Sequence, residues 1–112
     1  MTNEELNTAL YQKLFDEQER YRDRLLSMSP AEVLDHAYEY IVREDLLLSL
    51  EYHDLEDCQA KVLLKRKEPL KELFAQFESR ETGYMDTVWN TLETYAKNLE
   101  NAEKAKSDRD AR

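Results

Sequence analysis

The chain has 112 residues, with 25 acidic against 16 basic side chains and a formal net charge of −9. This length suits one domain, and 41% hydrophobic residues allow a modest core. One glycine and one cysteine exclude a glycine-rich nucleotide loop, an intrachain disulfide and a multi-cysteine zinc site, while scarce β-branched residues exclude an all-β fold. No stretch of about 20 apolar residues and no leader pattern occurs, so a cytoplasmic protein without a membrane span is expected.

The first predicted helix covers about residues 3 to 27. Thr2, with Glu5 three residues later, has the pattern of a capping box. The apolar residues that follow recur at steps of three or four, as one face of a helix requires. They are Leu6, Leu10, Tyr11, Leu14, Phe15, Tyr21, Leu25 and Met28.

A second helix is predicted to begin at Pro30, because Ser29 is a good N-cap and proline is favoured at the first helical position. Its inward face is predicted from Leu34, Ala37, Tyr38 and Ile41. The leucines that follow are too dense for one face. The helix therefore either runs on to Tyr52 or breaks near Asp45.

Two shorter helices are predicted next. Asp54 is the expected cap of the third, whose stripe is Leu55, Cys58, Val62 and Leu63. Glu68-Pro69 opens the fourth, with Leu70, Leu73, Phe74 and Phe77 inward. Gly83, the single glycine, lies just beyond the fourth helix and predicts a left-handed turn at that point.

The fifth predicted helix runs from Tyr84 to about residue 103, and residues 104–112 are expected to form a frayed polar tail. Its near-heptad stripe is Met85, Val88, Trp89, Leu92, Ala96 and Leu99. The fold class that follows is all-α: a compact bundle of four or five helices with long N- and C-terminal helices, in a single domain over residues 1–103.

Charge is distributed unevenly along the chain. Residues 1–56 hold 14 acids and 5 bases, whereas residues 57–112 hold 11 of each. Such an acidic half attracts a basic protein surface and repels nucleic acid and membranes, so no direct nucleic-acid or membrane partner is expected. The alternative is that the carboxylates only solvate helix faces and pair with the basic stretch of residues 61–71 inside the fold.

The sequence offers no catalytic or metal-binding constellation. Glu51, His53, Asp54, Asp57 and Cys58 lie close in sequence, but their spacing does not suit zinc. Asp54 is better explained as a cap, His53 as a connector residue and Cys58 as a small buried side chain beside Leu55 and Val62. His36 has no matched nucleophile. We therefore expect a protein that is not an enzyme and has no cofactor, with an oxygen-ligated Mg²⁺ or Ca²⁺ site the hardest exception to exclude.

Aromatic residues divide into two groups. Tyr38, Trp89 and Tyr95 lie on or beside inward stripes and are expected in the core. Tyrosines at stripe edges or in connectors are candidates for a binding surface, since tyrosine is favoured at interfaces. With the central carboxylates they form the predicted partner-binding set: Glu44, Asp45, Glu51, Asp54, Glu56, Asp57, Tyr40, Tyr52 and Tyr84.

Several short motifs resemble those of a known family over roughly residues 35–92. They are Gln59-Ala60-Lys61, Leu63-Leu64-Lys65, Pro69-Leu70, and Arg80-Glu81-Thr82-Gly83 with Tyr84-Met85-Asp86. The family consists of short, uncharacterised, acidic helical proteins carried on mobile elements and phages of Gram-positive anaerobic bacteria. The resemblance implies no activity and no site residues, but mobile elements are rich in small acidic proteins that block host nucleases.

Two functional hypotheses follow. The first is a non-enzymatic, acidic nucleic-acid mimic that inhibits a basic nucleic-acid-binding protein or nuclease, of the anti-CRISPR or anti-restriction kind. The second is a structural or regulatory adaptor that self-associates through an amphipathic helix. Trp89, Leu92, Ala96 and Leu99 would form the seam of that homodimer, or would instead serve an internal core.

Overall fold

The computed structural model describes residues 1–80 and 83–110, of which 86% are helical and none is in a strand. The predicted all-α fold class is confirmed. Glu81 and Thr82 of the family motif, and residues 111–112 of the predicted tail, lie outside the described residues. The helices are α1 (Asn3–Leu26), α2 (Pro30–Tyr52), α3 (Asp57–Leu64), α4 (Pro69–Ser79) and α5 (Tyr84–Asp110).

The chain divides into two units, Met1–Ser79 with α1 to α4 and Arg80–Arg112 with α5. In the first unit α1 packs against each of the other three helices, and α2 also packs against α4. The core of this unit therefore lies along one face of α1.

Local capping residues fix the N-termini of the first two helices as predicted. Thr2 Oγ1 accepts a hydrogen bond from the Glu5 backbone N at 3.1 Å, and the Thr2 backbone N donates to Glu5 Oε1 at 3.3 Å. Ser29 Oγ accepts from the Glu32 backbone N at 3.3 Å, immediately before Pro30. A side-chain cap of this kind stabilises a helix by about 1 kcal/mol.

The predicted stripe of α1 is confirmed in part, since Leu6, Leu10, Leu14, Tyr21 and Leu25 are buried whereas Phe15 is 42% exposed. Leu10 and Leu14 are fully buried, and they pack with leucines and one alanine from every other helix of the unit. The buried cluster comprises Leu6, Leu10, Leu14, Leu47, Ala60 and Leu70. A small core of this size makes each fully buried leucine important for stability.

Helix α2 continues without a break to Tyr52, but its predicted inward face is wrong. Leu34 is 76% exposed, and Tyr38 and Ile41 are also largely exposed, so Tyr38 is not a core residue. The buried residues are Val42, Arg43 and Leu47. Because a buried arginine lies in the middle of the observed inward face, the spacing of apolar residues predicts the wrong side of α2 as the inward one.

Helix α3 begins later than predicted, with Glu56 and not Asp54 as its N-cap. The Glu56 backbone N donates to Gln59 Oε1 at 3.0 Å, which anchors the first turn. Ala60 is buried, whereas Cys58 is exposed, so the prediction of a buried Cys58 is wrong. In α4 the predicted stripe is confirmed, with Leu70 and Phe74 buried and Leu73 and Phe77 half-buried.

A buried polar cluster joins α1, α2 and α4. Glu17 accepts hydrogen bonds from the backbone N of Leu70 at 2.8 Å and of Lys71 at 2.9 Å, so it caps α4 from α1. Arg43 lies between two carboxylates, with Nη1 3.8 Å from Glu17 Oε2 and Nη2 2.6 Å from Glu39 Oε2. Its guanidinium also stacks on the Tyr21 ring, 4.0 Å from the centroid. These contacts give both buried charges partners, which offsets part of the cost of their desolvation.

The second unit starts with the predicted left-handed glycine and one long helix. Gly83 has φ +71°, and its carbonyl accepts from the Thr87 backbone N at 3.0 Å. Helix α5 continues to Asp110, beyond the predicted end near residue 103. A single helix has no core of its own, and Trp89 and Tyr95 are 61% and 63% exposed. The prediction that these two residues lie in a core is therefore wrong.

Across the described ranges, no helix combines the length and the apolar character that a bilayer crossing requires.

Candidate functional site

A groove runs between α1 and α2 in two adjoining sections of about 490 and 450 Å³, which share Tyr11 and Glu51. We call it the acidic groove. Helix α1 lines it with Glu4, Asn7, Thr8, Tyr11, Phe15, Gln18, Glu19 and Arg22, and α2 and the residues after it line it with Tyr40, Glu44, Asp45, Leu47, Leu48, Leu50, Glu51 and Asp54.

The charge of the acidic groove is strongly one-sided. Of the residues that the structure describes, six carboxylates and one guanidinium, that of Arg22, lie along it. Within the described residues, none of these six carboxylates forms an ion pair. The basic side chains Arg66 and Lys71 pair instead with Glu72 and Glu68 next to them. The negative charge of the groove is therefore not neutralised by the basic stretch of the same chain.

The acidic residues at the C-terminal end of α2 oppose the helix dipole. Glu51 lies in the last turn, Asp54 follows it, and this turn has no basic residue. The C-terminus of a helix carries partial negative charge, so each such carboxylate costs about 0.3–1 kcal/mol. Local stability does not explain these residues.

Aromatic side chains line the middle of the acidic groove. The rings of Tyr11 and Phe15 stack with centroids 6.3 Å apart, and Phe15 remains 42% exposed. Tyr40 faces them from α2 and is half-buried. Aromatic faces beside carboxylates favour a cation, especially a guanidinium, through stacking and charge together.

Gln18 holds part of the α2 wall in place. Its Nε2 donates to the Tyr40 carbonyl at 3.2 Å and to Glu44 Oε1 at 3.0 Å, so the Glu44 carboxylate is oriented from α1. Gln18 is 1% exposed. Among the described residues no protein group donates a hydrogen bond to its buried Oε1.

Asn7 fixes the connector that carries Asp54. Asn7 Oδ1 accepts from the Leu55 backbone N at 2.8 Å, and Asn7 Nδ2 donates to the Leu55 carbonyl at 2.9 Å. Asn3 Nδ2 adds a second bond to the same carbonyl at 3.1 Å. The backbone of the connector is thereby tied to α1, and Asp54 is held at the end of the groove.

Burial raises the pKa of two tyrosines near the groove. For Tyr40 the largest cause is desolvation, followed by the nearby Glu44 carboxylate, and Arg22 acts in the opposite direction. For Tyr21 the causes are desolvation and then Glu39, opposed by Arg43 and Arg24. Both hydroxyls therefore keep their protons in the fold to a higher pH than in the unfolded chain.

We expect the stability of the protein to fall as the pH rises above about 10, the ordinary pKa of tyrosine. Each tyrosine has a higher pKa folded than unfolded, so its contribution is fully present below the unfolded value and is lost on passing the folded value. Thermal melts of the wild type and of Tyr21→Phe with Tyr40→Phe, at pH 7 and above pH 10, should show a smaller alkaline loss in the variant. Equal losses would contradict this expectation.

The acidic groove continues into an apolar pocket of about 310 Å³, with which it shares Arg22 and Tyr40. The other lining residues are Leu25, Leu26, Val33, Ala37 and Ile41. Leu26 is 69% and Ile41 58% exposed, so this end presents apolar surface to solvent. Carboxylates and aromatic rings of the acidic groove therefore lie next to an apolar pocket.

The structure brings together some of the predicted partner-binding residues and separates others. Tyr40, Glu44, Asp45, Glu51 and Asp54 all line the acidic groove. The remaining predicted residues do not line it: Tyr52 is the exposed last residue of α2, Glu56 and Asp57 lie at the start of α3, and Tyr84 begins α5 in the second unit.

Sequence reasoning missed the α1 wall of the groove. Apolar spacing places Tyr11 and Phe15 on the same stripe as the buried leucines, and Glu4 and Glu19 are not among the predicted partner-binding residues. A signal was present, since Glu4, Tyr11, Phe15, Glu19 and Arg22 recur along α1 at helical spacing. The partner of that face, α2, is a tertiary fact that spacing does not supply.

No three His, Cys, Asp or Glu side chains among the described residues are grouped so that they could hold a metal ion. His53, the C-cap of α2, lies 3.0 Å through Nδ1 from the Ser49 carbonyl, as expected of a connector residue. His36 Nδ1 lies 3.4 Å from the Tyr21 hydroxyl, beside the buried polar cluster.

A family model described as "Protein of unknown function (DUF3848)" matches residues 6–100. No curated protein matches, and no solved structure matches.

Proposed function

The chain belongs to the DUF3848 family, and we propose that it is a non-enzymatic binding module whose acidic groove holds a basic, apolar-anchored segment of a partner protein. The observation that carries this proposal is that the acidic groove, with six carboxylates among its described lining residues, shares Tyr40 and Arg22 with an apolar pocket. A segment with lysines or arginines and one or two large apolar residues matches this order of surfaces.

The energetics of the groove support binding over a purely solvating role. Glu51 and Asp54 stand at the unfavourable end of α2, and none of the groove carboxylates has an ion-pair partner within the described residues. A cationic partner offsets the repulsion among the groove carboxylates and their unfavourable interaction with the helix dipole together. Residues that weaken the isolated fold are expected where a protein binds something.

The narrower form of the proposal concerns the partner's identity. The acidic groove would engage a basic surface that otherwise holds nucleic acid. The protein would then be an inhibitor of the anti-CRISPR or anti-restriction kind, directed against a nuclease or a related effector. The acidic surface supports this form, together with the resemblance to proteins of mobile elements and phages. A competition experiment tests this narrower proposal, because duplex DNA should displace the protein from such a partner. Binding that DNA does not affect would contradict the narrower proposal and leave the general one standing.

The general proposal is tested with a synthetic helical peptide in which lysines lie on one face and leucines on the other. We expect Glu44→Lys with Glu51→Lys to weaken peptide binding about 100-fold at low salt, because each reversal replaces an attraction by a repulsion. Fluorescence anisotropy of a labelled peptide gives the affinity, and wild-type binding should weaken as salt rises.

The matched control is Asp35→Lys with Glu78→Lys, which makes the same charge change at exposed positions that do not line the groove. It should weaken binding only slightly. Equal effects of the two double variants, or an affinity that does not change with salt, would show that the acidic groove is not the binding site.

A further inference from the structure

Helix α5 carries a regular apolar seam. Its members recur at alternating steps of three and four, the spacing of a coiled-coil interface. They are Met85, Val88, Leu92, Tyr95, Leu99 and Ala102, which we call the α5 seam. It passes through Leu92 and Leu99 of the predicted stripe and places Trp89 and Ala96 on its flank.

The positions that flank the α5 seam are almost free of charge. Trp89 and Ala96 lie on one side, Thr91 and Asn98 lie on the other, and Glu103 is the charged exception. The charged side chains of α5 follow a different stripe, at Asp86, Glu93, Lys97, Glu100 and Lys104. Lys104 Nζ pairs with Glu100 Oε1 at 3.1 Å along that stripe.

The α5 seam is well exposed within its unit. Met85 is 70%, Leu92 60%, Tyr95 63% and Leu99 51% exposed, and Trp89 beside them is 61% exposed. Two of these five residues are aromatic, and an aromatic side chain buries about 150–250 Å² when covered, so the five together offer on the order of several hundred Å². A standard interface buries about 800 Å² per partner. The exposed apolar area is therefore a large part of what one stable interface needs.

Charge favours an identical helix as the occupant. Charged residues at the flanking positions of a coiled coil set partner choice, and here they are nearly absent, so two copies meet without like-charge repulsion. Residues 84–107 hold four acids and three bases, whereas residues 1–56 hold 14 acids and 5 bases. The surface of α5 is thus nearly neutral, and a second copy can approach it without strong charge repulsion.

We propose that α5 pairs with α5 of a second copy of this chain through the α5 seam. This inference rests on the second unit and does not depend on the acidic groove. The two sites differ in their response to salt. Salt screens the mutual repulsion of the acidic first units, so the dimer should hold or strengthen as salt rises, whereas binding in the acidic groove should weaken.

The test is the mass of the full-length protein by light scattering and sedimentation, over a range of micromolar concentrations. We expect a species of twice 13.4 kDa that dissociates on dilution. Leu92→Glu should raise the dissociation constant at least about 100-fold, because a buried leucine is lost and a charge is added in both copies. Asn101→Glu adds the same charge at an exposed position of α5 outside the seam and should leave the dimer intact.

A second readout guards against a folding artefact. Trp89 emission should move to shorter wavelength as the dimer forms, while Leu92→Glu keeps the melting temperature of the first unit. A monomer at every concentration would overturn the proposal, and so would a dimer that Leu92→Glu leaves intact. Concentration-independent, blue-shifted Trp89 emission in a monomer would overturn it too, by showing that the seam is covered within one chain.

Discussion

Replacing Glu17 by alanine should lower the free energy of unfolding by about 3–5 kcal/mol, the cost of breaking a buried ionic interaction by removing one partner. Two losses combine. The backbone N–H groups of Leu70 and Lys71 lose their acceptor at the start of α4, and buried Arg43 keeps only Glu39 as an ion-pair partner among the described residues. Urea denaturation followed by circular dichroism measures the change.

Glu19→Ala is the matched control, because Glu19 is an exposed residue of the same type on the same helix. Its effect should stay within about 0.5 kcal/mol. Glu17→Gln should fall between the two alanine variants, since an amide oxygen still accepts from α4 but no longer carries charge toward Arg43. If Glu17→Ala lowered the free energy of unfolding no more than Glu19→Ala does, the hydrogen bonds from Glu17 to α4 would not stabilise the fold.

Leu10→Ala should destabilise the protein by about 2–5 kcal/mol, because a fully buried leucine is replaced and a cavity is left among close-packed neighbours. Leu34→Ala should change the free energy of unfolding by no more than about 0.5 kcal/mol, because Leu34 is 76% exposed. The pair tests the orientation of α2 as well as the core.

Both leucines belong to predicted apolar stripes, so the sequence alone predicts that both are buried. Denaturant midpoints that shift by the same amount in the two variants would show that α2 presents its Leu34 face to the core. A shift confined to Leu10→Ala would establish the face that carries Arg43.

Features with local causes could be predicted from the sequence. The N-termini of α1 and α2 depend on side chains within three residues of the cap, and both were predicted correctly from Thr2, Glu5, Ser29 and Pro30. The left-handed Gly83 is of the same kind. Each depends on backbone geometry that a few neighbouring residues determine.

Features with distant partners could not be predicted. The inward face of α2 is set by Arg43, whose burial makes sense only once Glu17 and Tyr21 of α1 lie beside it. The acidic side of the groove was visible as a run of carboxylates that includes Glu44 and Glu51. Its aromatic wall on α1 was not, because the packing of α1 against α2 is encoded in no single segment.

The cap of α4 has a consequence for how the first unit assembles. Helix α4 has 11 residues, and isolated helices shorter than about 12–15 residues are marginal in water. Its first turn is completed by Glu17, which lies 53 positions before Leu70 in the chain. The acceptor for the first turn of α4 is therefore present only when α1 lies beside it, unlike in a helix that caps itself. Local helix formation and long-range packing are thus a single cooperative step.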